Sequence, residues 1–326
     1  MGQSIPTFAD VAAAATRIKA VALETPLIES PVLNERVRAR VLLKLETLQR
    51  TGSFKFRGAY NRLVQLTPDE RKHGVVAFSS GNHAQGVAAA ARILGMPATI
   101  VMPSDAPRIK LENTRALGAE IVPFDRKRDK REEIAARIAS EKGAVVVPAF
   151  DDFHIVAGQA TAGLEIARQA RALGVTLDAV LAPCSSGGLS SGIALALSHE
   201  TPTTRLFAVE PHGFDGARLS LERGERTAAA ADGFSIADSL MAPAPGLIPF
   251  ALFKATRAGA VAVSDAALMR AVGYGVRELK LVIEPGGAAA LAAILSGAFD
   301  ATGKTIAIVL SGGNIDPEML VRCLNG

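Results

Sequence analysis

Short runs of β-branched and other apolar residues recur along the chain and are separated by longer, alanine-rich stretches. Runs of this length that are bounded by turn residues are typical of buried β-strands. The pattern predicts strands at residues 41–45, 75–79, 99–102, 144–148, 179–182, 206–210 and 305–310. Because these strands alternate with helical segments, we expect an α/β fold with a mainly parallel sheet.

The stretches between the strands carry apolar residues at three- and four-residue spacing, which is typical of helices with one buried face. The clearest examples cover residues 84–94, 155–173 and 266–280. Residues 74–150 read as a strand–helix block of their own. We therefore expect a small domain at 74–150, inserted into a large domain made of residues 1–73 and 151–326.

Clusters of small residues follow three of the predicted strands. They lie at residues 79–81, 183–188 and 311–314. In parallel α/β sheets, ligands bind at the carboxyl ends of the strands. The position of the clusters is therefore the first indication of a ligand site.

Charge and composition exclude several classes of function. The 36 lysines and arginines nearly balance the 32 aspartates and glutamates, and the formal net charge is only +4. The densest charged run, RKRDKREE at residues 126–133, mixes both signs and is typical of the solvated start of a helix. Since the other basic residues are scattered, we expect no nucleic-acid partner.

The chain has two cysteines, Cys184 and Cys323, which do not form a disulfide framework and so favour a reducing compartment. The sequence contains no uninterrupted apolar run of about 18 residues, so we expect no membrane span. The first residues also lack the layout of a signal peptide. These features predict a cytoplasmic protein.

The segment TGSFKFRGAY at residues 51–60 places Lys55 between two phenylalanines, just after the potential helix cap Ser53. Burial and a nearby helix N-terminus both lower the pKa of a lysine and favour the neutral amine that a Schiff base requires. The alternative, which local features alone do not exclude, is an ordinary helix lysine that extends to water.

The segment PCSSGGLSSG at residues 183–192 follows a predicted strand and opens an apolar helix. Backbone N–H groups in such a turn, together with the helix dipole, can hold a phosphate dianion. Turns of this kind also occur as plain packing devices. The segment lacks the spacing of a nucleotide-binding loop, and no GxGxxG motif follows a strand, so ATP and NAD are poorly supported.

Six segments together resemble a known family: KLETLQRTGSFKFRGA, SSGNHAQG, PCSSGGL, VEPHGFD, IEPGGAAAL and LSGGNID. They stand in the order found in fold-type II pyridoxal-phosphate enzymes and look most like the serine/threonine dehydratase and serine racemase branch. The resemblance covers nearly the whole chain. It implies a two-domain α/β fold like that of the tryptophan synthase β-subunit, with mainly parallel, twisted sheets flanked by helices.

The resemblance implies a role for each matching residue near the cofactor. Lys55 would hold pyridoxal 5'-phosphate as a Schiff base and then carry the proton at Cα of the substrate. Phe54 would pack beside the cofactor ring, and Asn82 would bind its phenolic oxygen. Ser311 would meet the pyridine nitrogen. Because a hydroxyl does not stabilise a protonated ring, the cofactor would be a weak electron sink that suits β-elimination.

Two anion sites follow from the same resemblance. The phosphate would be surrounded by Ser185, Ser186, Gly187, Gly188 and Leu189. The substrate carboxylate would be bound by Ser80, Gly81, Asn82 and His83, and no acid–base role is assigned to the histidine. Ser80 also stands where racemases of the branch place a second catalytic proton donor.

The sequence departs from the family pattern at two sites. Ser185 and Ser186 replace glycines that are common in the phosphate loop, and serine resists a positive φ. Members of the branch often bind a divalent cation, Mg²⁺ or Mn²⁺, and here Glu210 and the carbonyl of Phe214 match two of its ligands. The expected third ligand falls at Gly216, and the loss of a carboxylate weakens such a site.

The resemblance implies a homodimeric ammonia-lyase that converts L-threonine or L-serine to a 2-oxo acid and ammonia. One alternative is dehydration of 3-hydroxyaspartate, which needs an added cationic group for the second carboxylate; His154 and Arg57 are candidates by charge. Another is a serine or aspartate racemase with side dehydratase activity. β-Replacement is a further alternative, but TGSFKFRG looks more like the dehydratase type.

Overall fold

The computed structural model describes residues 4–79, 81–106, 108–125, 127–231 and 233–326, with the backbone alone at residues 108 and 109. The strands are Leu27–Glu29 (β1), Arg40–Leu45 (β2), Val75–Phe78 (β3), Ala98–Pro103 (β4), Glu120–Phe124 (β5), Val145–Val146 (β6), Ala179–Pro183 (β7), Arg205–Pro211 (β8), Gly259–Val263 (β9) and Thr305–Leu310 (β10). The α-helices are Phe8–Ile18 (α1), Pro31–Val37 (α2), Lys55–Leu63 (α3), Pro68–His73 (α4), Asn82–Leu94 (α5), Arg108–Ala116 (α6), Arg131–Lys142 (α7), Phe153–Ala172 (α8), Gly188–Glu200 (α9), Gly216–Arg223 (α10), Leu247–Ala255 (α11), Asp265–Tyr274 (α12), Ala289–Ser296 (α13) and Pro317–Asn325 (α14).

The strands form two sheets. A six-stranded sheet has the order β1-β2-β10-β7-β8-β9, in which β1 is antiparallel to β2 and the other pairs are parallel. A four-stranded parallel sheet has the order β5-β4-β3-β6. The predicted α/β class with mainly parallel sheets flanked by helices is therefore confirmed.

The predicted strands agree with the observed ones within two residues at each end, whereas β1, β5 and β9 were not predicted. The strands of the smaller sheet all come from residues 75–146, inside the range expected for the small domain. The domain boundaries themselves stay a prediction. Among the helices described, none is long and apolar enough to cross a membrane.

The six-stranded sheet is buried on both faces. Along β2, Val41 and Leu43 pack into the cluster that contains α13, while Leu42 packs into the cluster that contains α8 and α9. Successive residues of a strand point to opposite faces. A strand covered on both faces is therefore apolar throughout, which explains why these segments read as continuous apolar runs.

Helix α3 lies between the two sheets and carries Lys55 at its first position. Its residues Phe56, Ala59 and Leu63 belong to the core that also contains α5. On another side, α3 crosses α8 so closely that a Cβ on Gly158 would lie 2.6 Å from the Cα of Gly58. Only glycine permits this backbone approach.

A buried charge network holds the same helix. The guanidinium of Arg57, which is fully buried, donates to Glu46 at 2.7 and 2.8 Å and to Glu165 at 2.6 and 2.8 Å. The ammonium of Lys44 donates to Glu165 at 2.6 Å. Because each buried charge has a partner of opposite sign, the network fixes α3 against β2 and α8.

We predict that Arg57→Leu lowers the free energy of unfolding by about 3–5 kcal/mol, because Glu46 would be left buried without its partner. Urea unfolding followed by circular dichroism measures this loss. The matched control is Arg40→Leu, which removes the exposed pair with Glu29 and should change the free energy by less than about 1 kcal/mol. Equal losses in the two variants would contradict the proposed role of the network.

Candidate functional site

A cavity of about 520 Å³ opens between the two sheets and has residues of both in its wall. It brings together almost all the residues that the sequence predicted for a cofactor and substrate site. These are Phe54, Lys55, Gly81, Asn82, His83, Ser185, Ser186, Gly187, Gly188, Leu189 and Ser311. Ser80 was predicted as well but lies outside the described residues.

Lys55 presents its amine to this cavity from the start of α3. The Nζ atom donates to the carbonyl of Ala149 at 3.1 Å and lies 5.1 Å from the ring centroid of Phe54. Burial lowers the pKa of Lys55 to about 8, and the negative charge of Glu284 acts in the opposite direction. About a tenth of the amine is therefore unprotonated at pH 7, and this is the form that attacks a carbonyl.

The Lys55 segment is tied to the end of β10. The N–H of Phe54 donates to the carbonyl of Ser311 at 3.1 Å, and the N–H of Ser311 donates to the carbonyl of Gly287 at 3.3 Å. Ser311 is buried and borders the cavity. The strand end thus places a hydroxyl and the lysine of α3 on one wall.

A chain of hydrogen-bonded side chains begins at Glu284 and Asn82 in the cavity wall. The Nδ2 of Asn82 donates to Glu284 Oε1 at 2.5 Å, and the Nδ2 of Asn314 donates to Asn82 Oδ1 at 2.7 Å. Burial raises the pKa of Glu284 to about 7, and the negative charge of Asp238 adds to this rise. This carboxyl is therefore about half protonated at pH 7, and its remaining negative charge acts on the amine of Lys55.

His83 and Gln159 each have a buried polar atom without a partner. The Nε2 of His83 lies 3.0 Å from the carbonyl of Val147, so it carries the proton, and Nδ1 has no partner within the described chain. Burial lowers the pKa of His83 to about 3, so the ring is neutral. The Nε2 of Gln159 is also without a partner. Such orphaned groups are expected where a ligand completes the hydrogen bonding.

The turn before α9 has the form of an anion site. Gly187 has φ of 92° and immediately precedes the helix, so its N-terminal N–H groups border the cavity. The Oγ of Ser185 accepts from the N–H of Ala242 at 3.3 Å, which leaves its hydroxyl proton free to donate. The left-handed conformation falls on glycine and not on Ser185 or Ser186.

The two predicted metal ligands lie away from the cavity wall. The carboxylate of Glu210 accepts from the N–H groups of Ala217 and Arg218, both at 2.9 Å, and so caps α10. Burial raises its pKa to about 8. A Cβ on Gly216 would lie 2.2 Å from the carbonyl of Pro243, so an acidic side chain does not fit there. The part of the chain that the structure describes contains no cluster of three or more metal-binding side chains, and a metal at Glu210 and Phe214 stays a prediction without support.

The candidates for a second carboxylate were wrong. The guanidinium of Arg57 forms ion pairs with Glu46 and Glu165. The Nδ1 of His154 lies 3.1 Å from the Nε2 of Gln65. Neither borders the cavity. Charge alone selected them, and charge does not tell which face of a helix a residue occupies.

Several cavity residues were missed in the sequence. They are Lys110, Arg131, Gln159, Arg226, Asp238 and Glu284. Glu284 stood in the segment IEPGGAAAL, which resembles the family. Arg131 stood in the charged run at residues 126–133, which was interpreted only as the solvated start of a helix. The others lie outside both and reach the cavity through the tertiary fold.

Comparison with known proteins gives consistent matches. The sequence model of a family described as pyridoxal-phosphate dependent enzyme matches residues 18–312. The L-threonine ammonia-lyase of Thermotoga maritima is 41% identical over 319 residues, which are 98% of this chain and 78% of that protein. An L-threo-3-hydroxyaspartate ammonia-lyase of a Pseudomonas species is 38% identical over 322 residues, 99% of each chain. The structure of maize serine racemase matches with a TM-score of 0.92 at 33% identity and covers 99% of this chain and 98% of that one.

We predict that Glu284→Gln changes the pH dependence of stability of the ligand-free protein. The pKa of Glu284 is about 7 in the folded chain against an ordinary value of 4.5. Between these values the folded state holds a proton that the unfolded state has lost, so stability falls as pH rises. The parent should lose about 3 kcal/mol relative to the variant between pH 4.5 and pH 8.

Urea unfolding at a series of pH values measures this difference. The exposed-site variant Glu35→Gln provides the control and should not reproduce the slope. A difference between parent and Glu284→Gln that stays constant with pH would show that Glu284 does not titrate in this range.

Proposed function

Because this chain belongs to the family of pyridoxal-phosphate dependent enzymes, we propose that it is an ammonia-lyase that converts L-threonine or L-serine to a 2-oxo acid and ammonia. The single observation that carries the proposal is the position of Lys55. Its amine has a lowered pKa and borders the same cavity as the anion-binding turn before α9. This supports a site in which Lys55 would bind an aldehyde covalently and the turn would bind a phosphate.

The residues present fit the cofactor. The proposal assigns Lys55 to its aldehyde carbon, Asn82 to its phenolic oxygen, Phe54 to its ring and Ser311 to its pyridine nitrogen. The phosphate would be held by residues 185–189. The buried Nδ1 of His83 and Nε2 of Gln159, which have no partners in the described chain, support the presence of a polar ligand in this cavity.

When bound, the cofactor withdraws electrons from Cα of the amino acid and so favours loss of the Cα proton and of the β-hydroxyl. Lys55 Nζ is proposed to take the proton at Cα, because a pKa of about 8 allows it to exist as a free base. Backbone N–H groups at the start of α5, including those of Gly81 and Asn82, would orient the substrate carboxylate. Water leaves from Cα and Cβ, and water re-enters when ammonia is released.

A second substrate, 3-hydroxyaspartate, is favoured by two cations in the cavity wall. Lys110 pairs with Asp238 at 2.9 Å, and Arg131 lies with its guanidinium carbon 5.5 Å from the ring centroid of Phe78. Arg131 also pairs with Glu132, and that pair is about half exposed, so it is weak and exchangeable. Either cation can bind the added carboxylate of this substrate.

The proposal includes the cellular setting expected from the sequence. Cys184 and Cys323 are both free and buried, which favours a reducing cytoplasm. We further propose a homodimer, which sedimentation of the purified protein tests directly. A sedimentation coefficient of a single chain would contradict it.

We predict that Lys55→Ala lowers formation of 2-oxo acid from L-serine and L-threonine by about 10²- to 10⁴-fold, because the general base is lost. The same variant should lack a cofactor adduct that borohydride reduces, which mass spectrometry locates in the parent at Lys55. The exposed variant Lys72→Ala should behave like the parent. A reducible adduct that persists in Lys55→Ala would overturn the assignment. Chiral chromatography of the remaining serine detects any racemisation.

We predict that Arg131→Leu lowers kcat/KM for 3-hydroxyaspartate at least about tenfold relative to L-serine, because one charge-assisted contact to the second carboxylate is lost. Assays with both diastereomers measure the ratio. Arg137→Leu removes an exposed arginine of the same helix, paired with Glu141, and should leave the ratio unchanged. An unchanged ratio in Arg131→Leu would exclude this residue from substrate selection.

A further inference from the structure

Arg226 borders the cavity on the side of the small-residue turn that precedes α9. It follows α10 in the chain and belongs to no segment that the sequence comparison singled out. Its Nε donates to the carbonyl of Pro245 at 2.6 Å. This contact orients the guanidinium, and its two terminal nitrogens form no hydrogen bond with the rest of the described chain.

The segment to which Arg226 is attached is itself bound to the turn. The N–H of Gly246 donates to the carbonyl of Ser186 at 2.9 Å, and the N–H of Ala242 donates to the hydroxyl of Ser185 at 3.3 Å. Pro245, which accepts from Arg226, directly precedes Gly246. The peptide group between Pro245 and Gly246 therefore links the arginine to the turn, because its carbonyl accepts from Arg226 and its N–H donates to Ser186.

The charges in the cavity wall distinguish Arg226 from the other cations. Lys110 is paired with Asp238, and Arg131 is paired with Glu132. Arg226 forms no ion pair with any carboxylate in the ranges that the structure covers. Unlike Lys110 and Arg131, Arg226 thus has no ion pair with a described carboxylate to break before it binds a ligand.

We propose that Arg226 is a further cofactor-binding residue, which donates to the phosphate held at residues 185–189. The inference rests on the proposed function. Two serines occupy the turn where the family often has glycines, and a phosphate dianion there gains a charge-assisted donor from Arg226. An arginine donates two parallel N–H groups and also brings a full positive charge, which the neutral backbone N–H groups of a turn do not supply.

The test compares two aldehydes that differ only in the phosphate. The full-length chain is freed of cofactor and titrated with pyridoxal 5'-phosphate and with pyridoxal, and the absorbance of the lysine adduct gives each Kd. In Arg226→Leu the affinity for pyridoxal 5'-phosphate should fall about 10- to 100-fold, whereas the affinity for pyridoxal should not change. Arg226→Lys, which keeps the charge, should recover part of the loss.

The matched control is Arg223→Leu, which removes an exposed arginine at the end of α10 and should alter neither Kd. Equal losses for both aldehydes in Arg226→Leu, or no loss for either, would overturn the inference. A raised KM for serine with an unchanged Kd for pyridoxal 5'-phosphate would overturn it too, since Arg226 would then contact the substrate. If the parent chain binds neither aldehyde, the proposed function itself fails together with the inference.

Discussion

The close crossing of helices α3 and α8 is the constraint on which the site depends. Gly58 and Gly158 allow the two backbones to touch, and a Cβ on either glycine would lie within 3 Å of the other helix. Lys55 stands one turn before Gly58 on the same helix. A shift of α3 would therefore move the amine directly, and the distance from Lys55 to the turn before α9 would change with it.

Lys55 and Arg57, both near the start of α3, point to opposite sides of the helix. Residues two apart in an α-helix are separated by about 200° around the axis. Arg57 is therefore turned toward Glu46 and Glu165, while Lys55 is turned toward the cavity. The network at Arg57 needs no ligand to hold the helix, so the amine is placed before any cofactor arrives. Such preorganisation lowers the ordering cost of binding.

The local hydrophobic pattern predicted most of the strands but missed others. The strands β2, β7 and β10 were predicted because continuous burial on both faces produces an unbroken apolar run. Strand β5 was missed because Glu120 and Pro123 interrupt its pattern, and β9 because its sequence, GAVAV, is as small and alanine-rich as the helices. Both are set by pairing with β4 and β8, respectively, which a single segment does not reveal.

The same distinction applies to the site. Residues 54–55 and 185–189 were predicted because each group lies in one short segment that resembles the family, whereas local chemistry alone left an ordinary helix lysine and a plain packing turn open. Lys110 and Arg226 were missed because they reach the cavity from different elements, and each looks like an ordinary surface cation in the sequence. The prediction that Arg57 binds the second carboxylate of a substrate was wrong for a different reason. Its charge was visible, but its place among buried carboxylates was a property of the fold.

The balance of charge in the cavity explains how one site can hold an anionic cofactor and still release its product. Lys110 and Asp238 neutralise each other, and the pKa of Glu284, raised to about 7, leaves this carboxyl only partly charged near neutral pH. Under the proposed function, a phosphate dianion would therefore meet few competing anions, and the substrate carboxylate would bind backbone N–H groups at the start of α5. Contacts of that kind orient a small amino acid without the strength of a buried ion pair. A 2-oxo acid has no amino group with which to bond an aldehyde, so it would be free to leave.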